Sequence, residues 1–184
     1  MITRTAYEAA RTFAWDAVKR SGVPVGEHER EQIEAADLGL SEFHITGAAI
    51  LTLASTDWMG VKLLILAPNQ FFPQHRHPPS DTENYPGKQE IFRCQSGEIY
   101  IYMPGEAAAQ PKADPPAHRR PYLTVWHETS LRPGEQVMSP PNTWHWFQAG
   151  AEGAVCWSFS SKVTDAVDQF TDPQVTRKTI ISED

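Results

Sequence analysis

The chain has 184 residues, 40% of them hydrophobic and 21% charged, which suits a single soluble domain able to bury a core. Its formal net charge of −7 argues against a nucleic-acid phosphate backbone or an anionic membrane surface as partner. Charges interrupt the apolar positions of "MITRTAYEAARTFAWDAVKR", and no apolar run is long enough to span a bilayer, so neither a secretory signal nor a membrane helix is expected.

Residues 4 to about 20 read as a helix, with Tyr7, Ala10, Phe13, Ala14 and Val18 close to one face. "SGVPVGE" breaks it, and "EHEREQIEAADLGL" reads as a second, more acidic helix ending near Gly39. Residues 1–40 are therefore expected to form an N-terminal helical extension. From about residue 43 the period changes. "FHITGAAILTLAS", "MGVKLLILAP", "EIFRCQSGEIYIYMPG", "YLTVWHETSLRPG", "EQVMSP", "TWHWFQAG" and "AVCWSFSS" are short runs rich in β-branched and aromatic residues, separated by Gly, Pro, Asn and Ser. That pattern predicts an all-β sandwich or barrel over residues 41–175. The aperiodic, Pro-rich "GEAAAQPKADPPAHRRP" (105–121) reads as a long surface excursion, and residues 176–184 as a polar tail that frays. Cys94 and Cys156, the two cysteines, lie in strand-like runs and read as buried fillers in a reducing cytoplasm.

The chemistry concentrates in "QHRHPPSDTENYPGKQEIFRCQSGEIYIY". His75 and His77, two residues apart, point to the same side of a strand. Two imidazoles aimed at one spot repel when protonated and are stabilised when a metal takes them. Glu90 shares a strand face with Phe92 and Cys94, and if that face lines a barrel, its carboxylate is costly unless paired or metal-bound. In "TWHWFQAG", His145 and Phe147 face one way while Trp144 and Trp146 face outward, into a second sheet or a subunit interface. His75, His77, Glu90 and His145 can thus converge inside one barrel, a donor set that suits Mn, Fe, Co, Ni or Zn. His28, His44, His118 and His127 read as surface or supporting residues, His127 standing apart by its strand position.

These residues carry a resemblance. His75, His77, Glu90 and Gly97 fit the first cupin motif, and Gly134, Pro140 and His145 fall at the intervals of the second. Asn69 and Asn142 stand where that pattern usually has Gly, Ala149 replaces its final Asn, and the spacer from His77 to Glu90 is unusually long. Asn tolerates left-handed turns nearly as Gly does, so the ligand set stays intact. The resemblance implies a cupin double-stranded β-helix, a jelly-roll barrel, with two short N-terminal helices. Longer strings, "HRHPP", "GKQEIFRC", "YLTVWHE", "PPNTWHWFQAG" and "TDAVDQFTDP", are similar to the D-lyxose isomerase family from about residue 35 to 175, and the long spacer is that family's own. The resemblance implies a Mn-loaded isomerase interconverting D-lyxose and D-xylulose, often D-mannose and D-fructose too. His75, His77, Glu90 and His145 would be the ligands, and a cytoplasmic homodimer is expected because cupins are commonly dimeric.

Such a reaction moves a hydrogen between C1 and C2 of an open-chain sugar whose O1 and O2 chelate the metal, by a base or by hydride shift. Lys88, two residues before Glu90, faces the same interior if the strand continues. There a desolvated lysine of lowered pKa acts as base, acid or donor; otherwise it is a loop lysine reaching solvent. Gln74 and Arg76 lie on the opposite strand face. Asp165, Asp168 and Asp172 follow the last core strand; Asp168 is the catalytic candidate, and Asp172 reads as a turn residue. Phe92 and Phe147 are candidate walls of a sugar pocket, though core packing explains them equally well.

Other metal-dependent cupin enzymes, a dioxygenase or a phosphosugar isomerase, are the first rivals. The second needs a cluster of basic residues near the ligands to hold phosphate, and none is evident there, because Arg93 faces away and Arg119 and Arg120 lie in a loop. A non-enzymatic sugar-binding cupin is the remaining alternative; all four ligands being present argues for the enzyme.

Overall fold

The structure, a computed structural model, describes residues 1–82 and 84–183. Strand β1 (Ile2–Thr3) leads directly into helix α1 (Arg4–Arg20). Thr3 caps the helix, its hydroxyl accepting from Ala6 N at 3.2 Å, and Lys19 and Arg20 occupy the last turn, where the helix dipole favours cations. Ala10, Ala14 and Val18 are buried at helical spacing. Trp15 rather than Phe13 completes that face, and Phe13 stays 37% exposed.

The second helical segment is shorter than its sequence suggests. Glu27–Gln32 forms a 3-10 turn, tightened by Gly26 N donating to the Glu29 carboxylate at 2.6 Å. Ile33–Ala36 is instead strand β2, antiparallel to β3 (Ala48–Ser55). Ile33 and Ala35 pack outside the sheet and Ala36 inside it, so burial against a distant strand overrides a helix-compatible composition.

Strands β4 (Gly60–Leu66), β5 (Phe71–Arg76), β6 (Glu90–Met103), β7 (His127–Leu131), β8 (Gln136–Ser139), β9 (His145–Ser160) and β10 (Gln169–Phe170) complete a curled sheet of order β10-β5-β9-β4-β3-β2. Strand β6 joins it through β9 and carries β7 and β8 on its far side. Every pairing in this sheet is antiparallel, as an all-β jelly roll requires, and the fold is the cupin double-stranded β-helix. The two long strands β6 and β9 bend together where their register shifts around Ser96 and Gly97. Gly97 has φ +77°, and a Cβ there would stand 2.0 Å from the Gly153 carbonyl oxygen, so the bend needs glycine.

Ile50, Leu64, Phe72, Phe92, Cys94, Phe147 and Cys156 fill the interior. Leu51, Leu63 and Ile65 alternate with them and pack under Trp15 and Val18 of α1. Burial on both faces explains why β4 reads as a nearly unbroken apolar run. Trp146 does point out of the barrel, but it meets neither a second sheet nor solvent. The segment after β6 folds back over it, with Ala113, Leu123 and Val125 buried around its ring. Trp146 Nε1 donates to Val125 O at 2.7 Å, and its indole stacks on Tyr102 at 3.9 Å between centroids. Trp144 lies half-buried under the Arg76 guanidinium, 4.7 Å from the ring centroid. The excursion is thus a cover rather than a free loop. Nor does the C-terminal tail fray as its polarity suggests: β11 (Ile181–Ser182) pairs with β1, and Arg177 is bonded to Glu34 and Asp165. No helix among the described residues is long and apolar enough to cross a membrane.

Candidate metal centre and active site

His75 lies on β5 and His77 one residue past its end; Glu90 opens β6 and His145 opens β9. His75 and His145 are register partners, and the curl of the barrel brings Glu90 to them from the other side. The ring centroids of His75 and His145 lie 4.2 Å apart, those of His77 and His145 5.1 Å, and those of Phe92 and His145 5.7 Å. One nitrogen from each of the three histidines falls within 4.8 Å of the others. All three rings and Glu90 are buried. Gly87 closes the long spacer against this cluster: its φ is +103°, and a Cβ there would stand 2.4 Å from the His77 carbonyl oxygen.

Hydrogen bonds set the tautomers. His75 Nδ1 donates to Pro73 O at 3.0 Å and His145 Nδ1 to Thr143 O at 2.9 Å, which leaves the Nε2 lone pair of each facing inward. Burial, with the neighbouring histidines adding to it, holds His75 well below its usual pKa and lowers His145 to about 4, so both rings are neutral at physiological pH. Burial pulls His77 down too, but it is outweighed by Asp168 Oδ1, 2.6 Å from Nδ1, and Glu90 Oε2, 3.0 Å from Nε2, so its pKa is raised. Burial opposes ionisation of Glu90, yet Lys88 and His77 drive its carboxyl well below the usual range, and the Ser158 hydroxyl donates to its other oxygen.

His145 Nε2 is buried and has no hydrogen-bond partner among the described residues. A buried lone pair left this way costs about 1–3 kcal/mol. Two neutral imidazoles with free Nε2 atoms, a third whose Nδ1 is oriented by a carboxylate, and an adjacent Glu90 fit a divalent ion of the Mn, Fe, Co, Ni or Zn group.

A cavity beside the cluster is lined by Ile50, Lys62, Leu64, Phe72, Phe92 and Phe147, with His75, His77, Lys88, Glu90, Asp165 and Asp168. Phe92 and Phe147 are walls as well as core. Lys88 is buried, not a surface lysine, and its Nζ donates to Asp165 Oδ1 at 2.9 Å while lying 3.8 Å from Glu90 Oε2. Its pKa is not lowered: burial pulls it down, but Glu90, Asp165 and Asp168 outweigh burial and raise it, so Lys88 is a fixed cation and hydrogen-bond donor. Burial raises the Asp168 carboxyl above its usual value against the pull of His77 and Lys88. Asp172 lies apart, with Oδ1 accepting from Gln174 N at 2.9 Å and Oδ2 from Arg119 at 2.8 Å, a turn and an ion pair. Gln74 faces away from the ligands and holds the cover through Thr124 and Val125. His127 is exposed and His118 pairs with Glu42.

Sequence reading passes over Lys62, Arg177 and Ser158, and leaves Asp165 without a role. Its expectation of no basic cluster near the ligands is corrected, because Lys62, Lys88 and Arg177 all converge on Asp165. Three cations lower the Asp165 carboxyl far below its usual range although burial opposes this, and the carboxylates around them already neutralise the group. The signal for Lys62 is present in the sequence: one lysine inside the apolar run "GVKLLIL", in phase with Leu64.

No family model matches the chain. The protein is 44% identical over 177 residues to the D-lyxose ketol-isomerase of Thermofilum sp., covering 96% of this chain and 97% of that one. It is 43% identical, with the same coverage, to the D-lyxose/D-mannose isomerase of Thermosediminibacter oceani. With the D-lyxose ketol-isomerase of Cohnella laeviribosi it shares 41% over 180 residues and 98% of both chains. Among solved structures, the L-ribose isomerase of Cellulomonas parahominis superimposes with a TM-score of 0.77 over 98% of both chains at 16% identity. That of Acinetobacter sp. DL28, in complex with L-ribose, gives 0.74 at 16% identity, again over 98% of both chains. These two likenesses establish the fold. With 41–44% identity across nearly the whole of the three sequence relatives, the chain belongs to the D-lyxose ketol-isomerase family.

Proposed function

We propose that this chain is a divalent-metal-dependent aldose–ketose isomerase that interconverts D-lyxose and D-xylulose and also acts on D-mannose and D-fructose. The observation that carries the substrate is its near-full-length identity to proteins named for D-lyxose and D-mannose. The metal rests on the donor set, above all on the unpartnered Nε2 of His145. His75, His77, Glu90 and His145 would hold the ion, with Mn the expected choice. When bound, it supplies Lewis-acid polarisation of the sugar carbonyl, with O1 and O2 of the open chain as its partners.

The remaining steps belong to the protein's own side chains. Phe72, Phe92 and Phe147 keep water from the reacting carbons. The fixed ammonium of Lys88 donates to a sugar oxygen on which negative charge develops. Asp168 commits Oδ1 to His77, and its other oxygen takes the C2 proton and returns it to C1. Glu90 takes part through the ion it would hold. The basic residues near the cavity are paired with carboxylates, which favours a neutral sugar over a phosphosugar. Cytoplasmic residence and a homodimer complete the proposal, supported by the two free buried cysteines and by the family resemblance.

The test is isomerisation of D-lyxose and D-mannose by Mn-reconstituted protein in D2O beside a Glu90→Ala control. Ketose that forms only in the wild type is the expected result, and deuterium at C1 measures how far the proton exchanges with solvent while Asp168 holds it. No ketose from either sugar with metal bound would overturn the substrate assignment.

A further inference from the structure

Lys62 is the buried cation that the chemistry above leaves unused. It lies in the middle of β4, 5% exposed, and its partner on β9 is Ser158, the residue that hydrogen-bonds Glu90. An ammonium carries three N–H donors. Among the described residues, the Lys62 ammonium has one partner, Asp165 Oδ2. That carboxylate is shared, with Oδ1 taken by Lys88 at 2.9 Å and Oδ2 also approached by Arg177 at 3.3 Å. Asp165 thus shares its charge among three cations while Lys62 keeps two donors on the cavity wall, and donors left unmade inside a protein are costly until a ligand or water takes them.

The order of groups along the cavity gives this cation a place. Lys88 lies between Glu90 Oε2, at 3.8 Å, and Asp165 Oδ1, at 2.9 Å, and Lys62 lies across that same carboxylate. Ile50, Leu64 and Phe72 line the cavity around it and offer no hydrogen bond. An aldose with its carbonyl carbons at the histidine end and next to Lys88 carries its remaining hydroxyls toward the donors of Lys62.

We propose that Lys62 is a substrate-binding and specificity residue that hydrogen-bonds a distal hydroxyl of the aldose, O4 or O5 of a pentose, while Asp165 fixes the position of its ammonium. The ligand class rests on the sugar-isomerase reading. A buried donor left unpaired penalises an analogue that lacks the matching hydroxyl, so this contact discriminates among sugars as well as binding them.

The experiment is calorimetric binding, to metal-loaded protein, of the alditol made by reducing D-lyxose, which has no carbonyl to isomerise. The alditols of 4-deoxy- and 5-deoxy-D-lyxose are titrated beside it, against wild type and Lys62→Met. Lys62→Met is expected to keep its metal and to bind the parent alditol about tenfold or more weaker. One deoxy alditol should show the same loss with the wild type and no further loss with Lys62→Met. Unchanged binding by Lys62→Met, or equal losses from each missing hydroxyl in both proteins, would overturn the proposal. Should Lys62→Met fail to fold, the wild-type series decides alone, since full affinity for both deoxy alditols has the same consequence. Aldose turnover measured in parallel separates the two readings. A wild type that forms no ketose removes the isomerase reading, while the alditol comparison still decides Lys62.

Discussion

At one end of the cavity, His75 and His145 commit their Nδ1 protons to backbone carbonyls, stay neutral through burial, and leave Nε2 lone pairs turned to one another. At the other end, Lys62, Lys88 and Arg177 surround Asp165, and Glu34 takes the second face of Arg177. Both ends bury groups that water would otherwise solvate. The ionic end pairs each of its charges inside the fold and leaves only the spare N–H donors of Lys62 to the cavity, so it supports the barrel whether or not anything is bound. The histidine end compensates the lost solvation only in part, and His145 Nε2 is the remainder. A site that must accept an ion has to carry such an open lone pair, whereas a site that must hold a loop across a barrel mouth cannot leave a buried charge without a countercharge.

His145→Leu tests the open end and carries the largest effect. Metal content should fall to background, and ketose formation by well over the roughly hundredfold that loss of a supporting partner brings. Unfolding of the metal-free protein in urea should show little loss of stability, because the substitution removes an unsatisfied polar atom along with the single hydrogen bond from Nδ1 to Thr143 O. A destabilised metal-free His145→Leu would break the contrast between the ends. Asp165→Asn tests the closed end in the opposite sense. It leaves three buried or half-buried cations without their shared countercharge, at a cost of about 3–5 kcal/mol in the unfolding free energy read from urea titration. Metal content should survive, since Asp165 touches none of the four donors.

How far each end can be read from sequence follows from the same difference. The histidine end is legible because its signals are local: period-2 spacing in His75 and His77, and motif intervals around Glu90 and His145. Even the departures hold, since Asn69 and Asn142 adopt the left-handed φ values, 58° and 55°, that Gly usually supplies there. The ionic end is assembled from β4, the spacer, the turn after β9 and the tail, with Lys62 and Asp165 103 residues apart. No periodicity encodes such a meeting; only the oddity of one lysine in an apolar strand hints at it. The same limit hides β2, whose pairing with β3 is non-local while "EHEREQIEAA" has helical composition. It also hides the cover over Trp146, because Pro-rich, aperiodic chain does not announce which residues it will bury.

Asp168 stands between the two ends, with Oδ1 on His77 and the Lys88 charge nearby. Asp168→Asn should keep the fold and weaken metal binding by about 10–100-fold, the range for losing a carboxylate that orients a ligating histidine. Competition with a chelator measures it. Affinity left at the wild-type value would mean that His77 is held well enough by Glu90 and the barrel alone.

The smallest effect is a slope. Burial pushes the Glu34 carboxyl up, but Arg177, with contacts of 2.8 and 3.1 Å, and the Thr179 hydroxyl at 2.8 Å bring it below its usual value. A carboxyl with a lowered folded pKa holds fewer protons than the unfolded chain in the acid range, so stability falls as pH falls. The Glu34 share is complete above the unfolded value of about 4.3 and is lost as pH drops through the lowered folded value. Arg177→Met removes the cause, so its stability should decline less steeply than the wild type's over that window, while the two curves run parallel at neutral pH. Asp165 loses one of its three cations in this variant but keeps Lys62 and Lys88, so its carboxyl stays low and the flattening falls chiefly on Glu34. Identical acid slopes would show that Thr179 and the tail hold Glu34 without the guanidinium, and the closed end would then owe less to charge than its geometry implies.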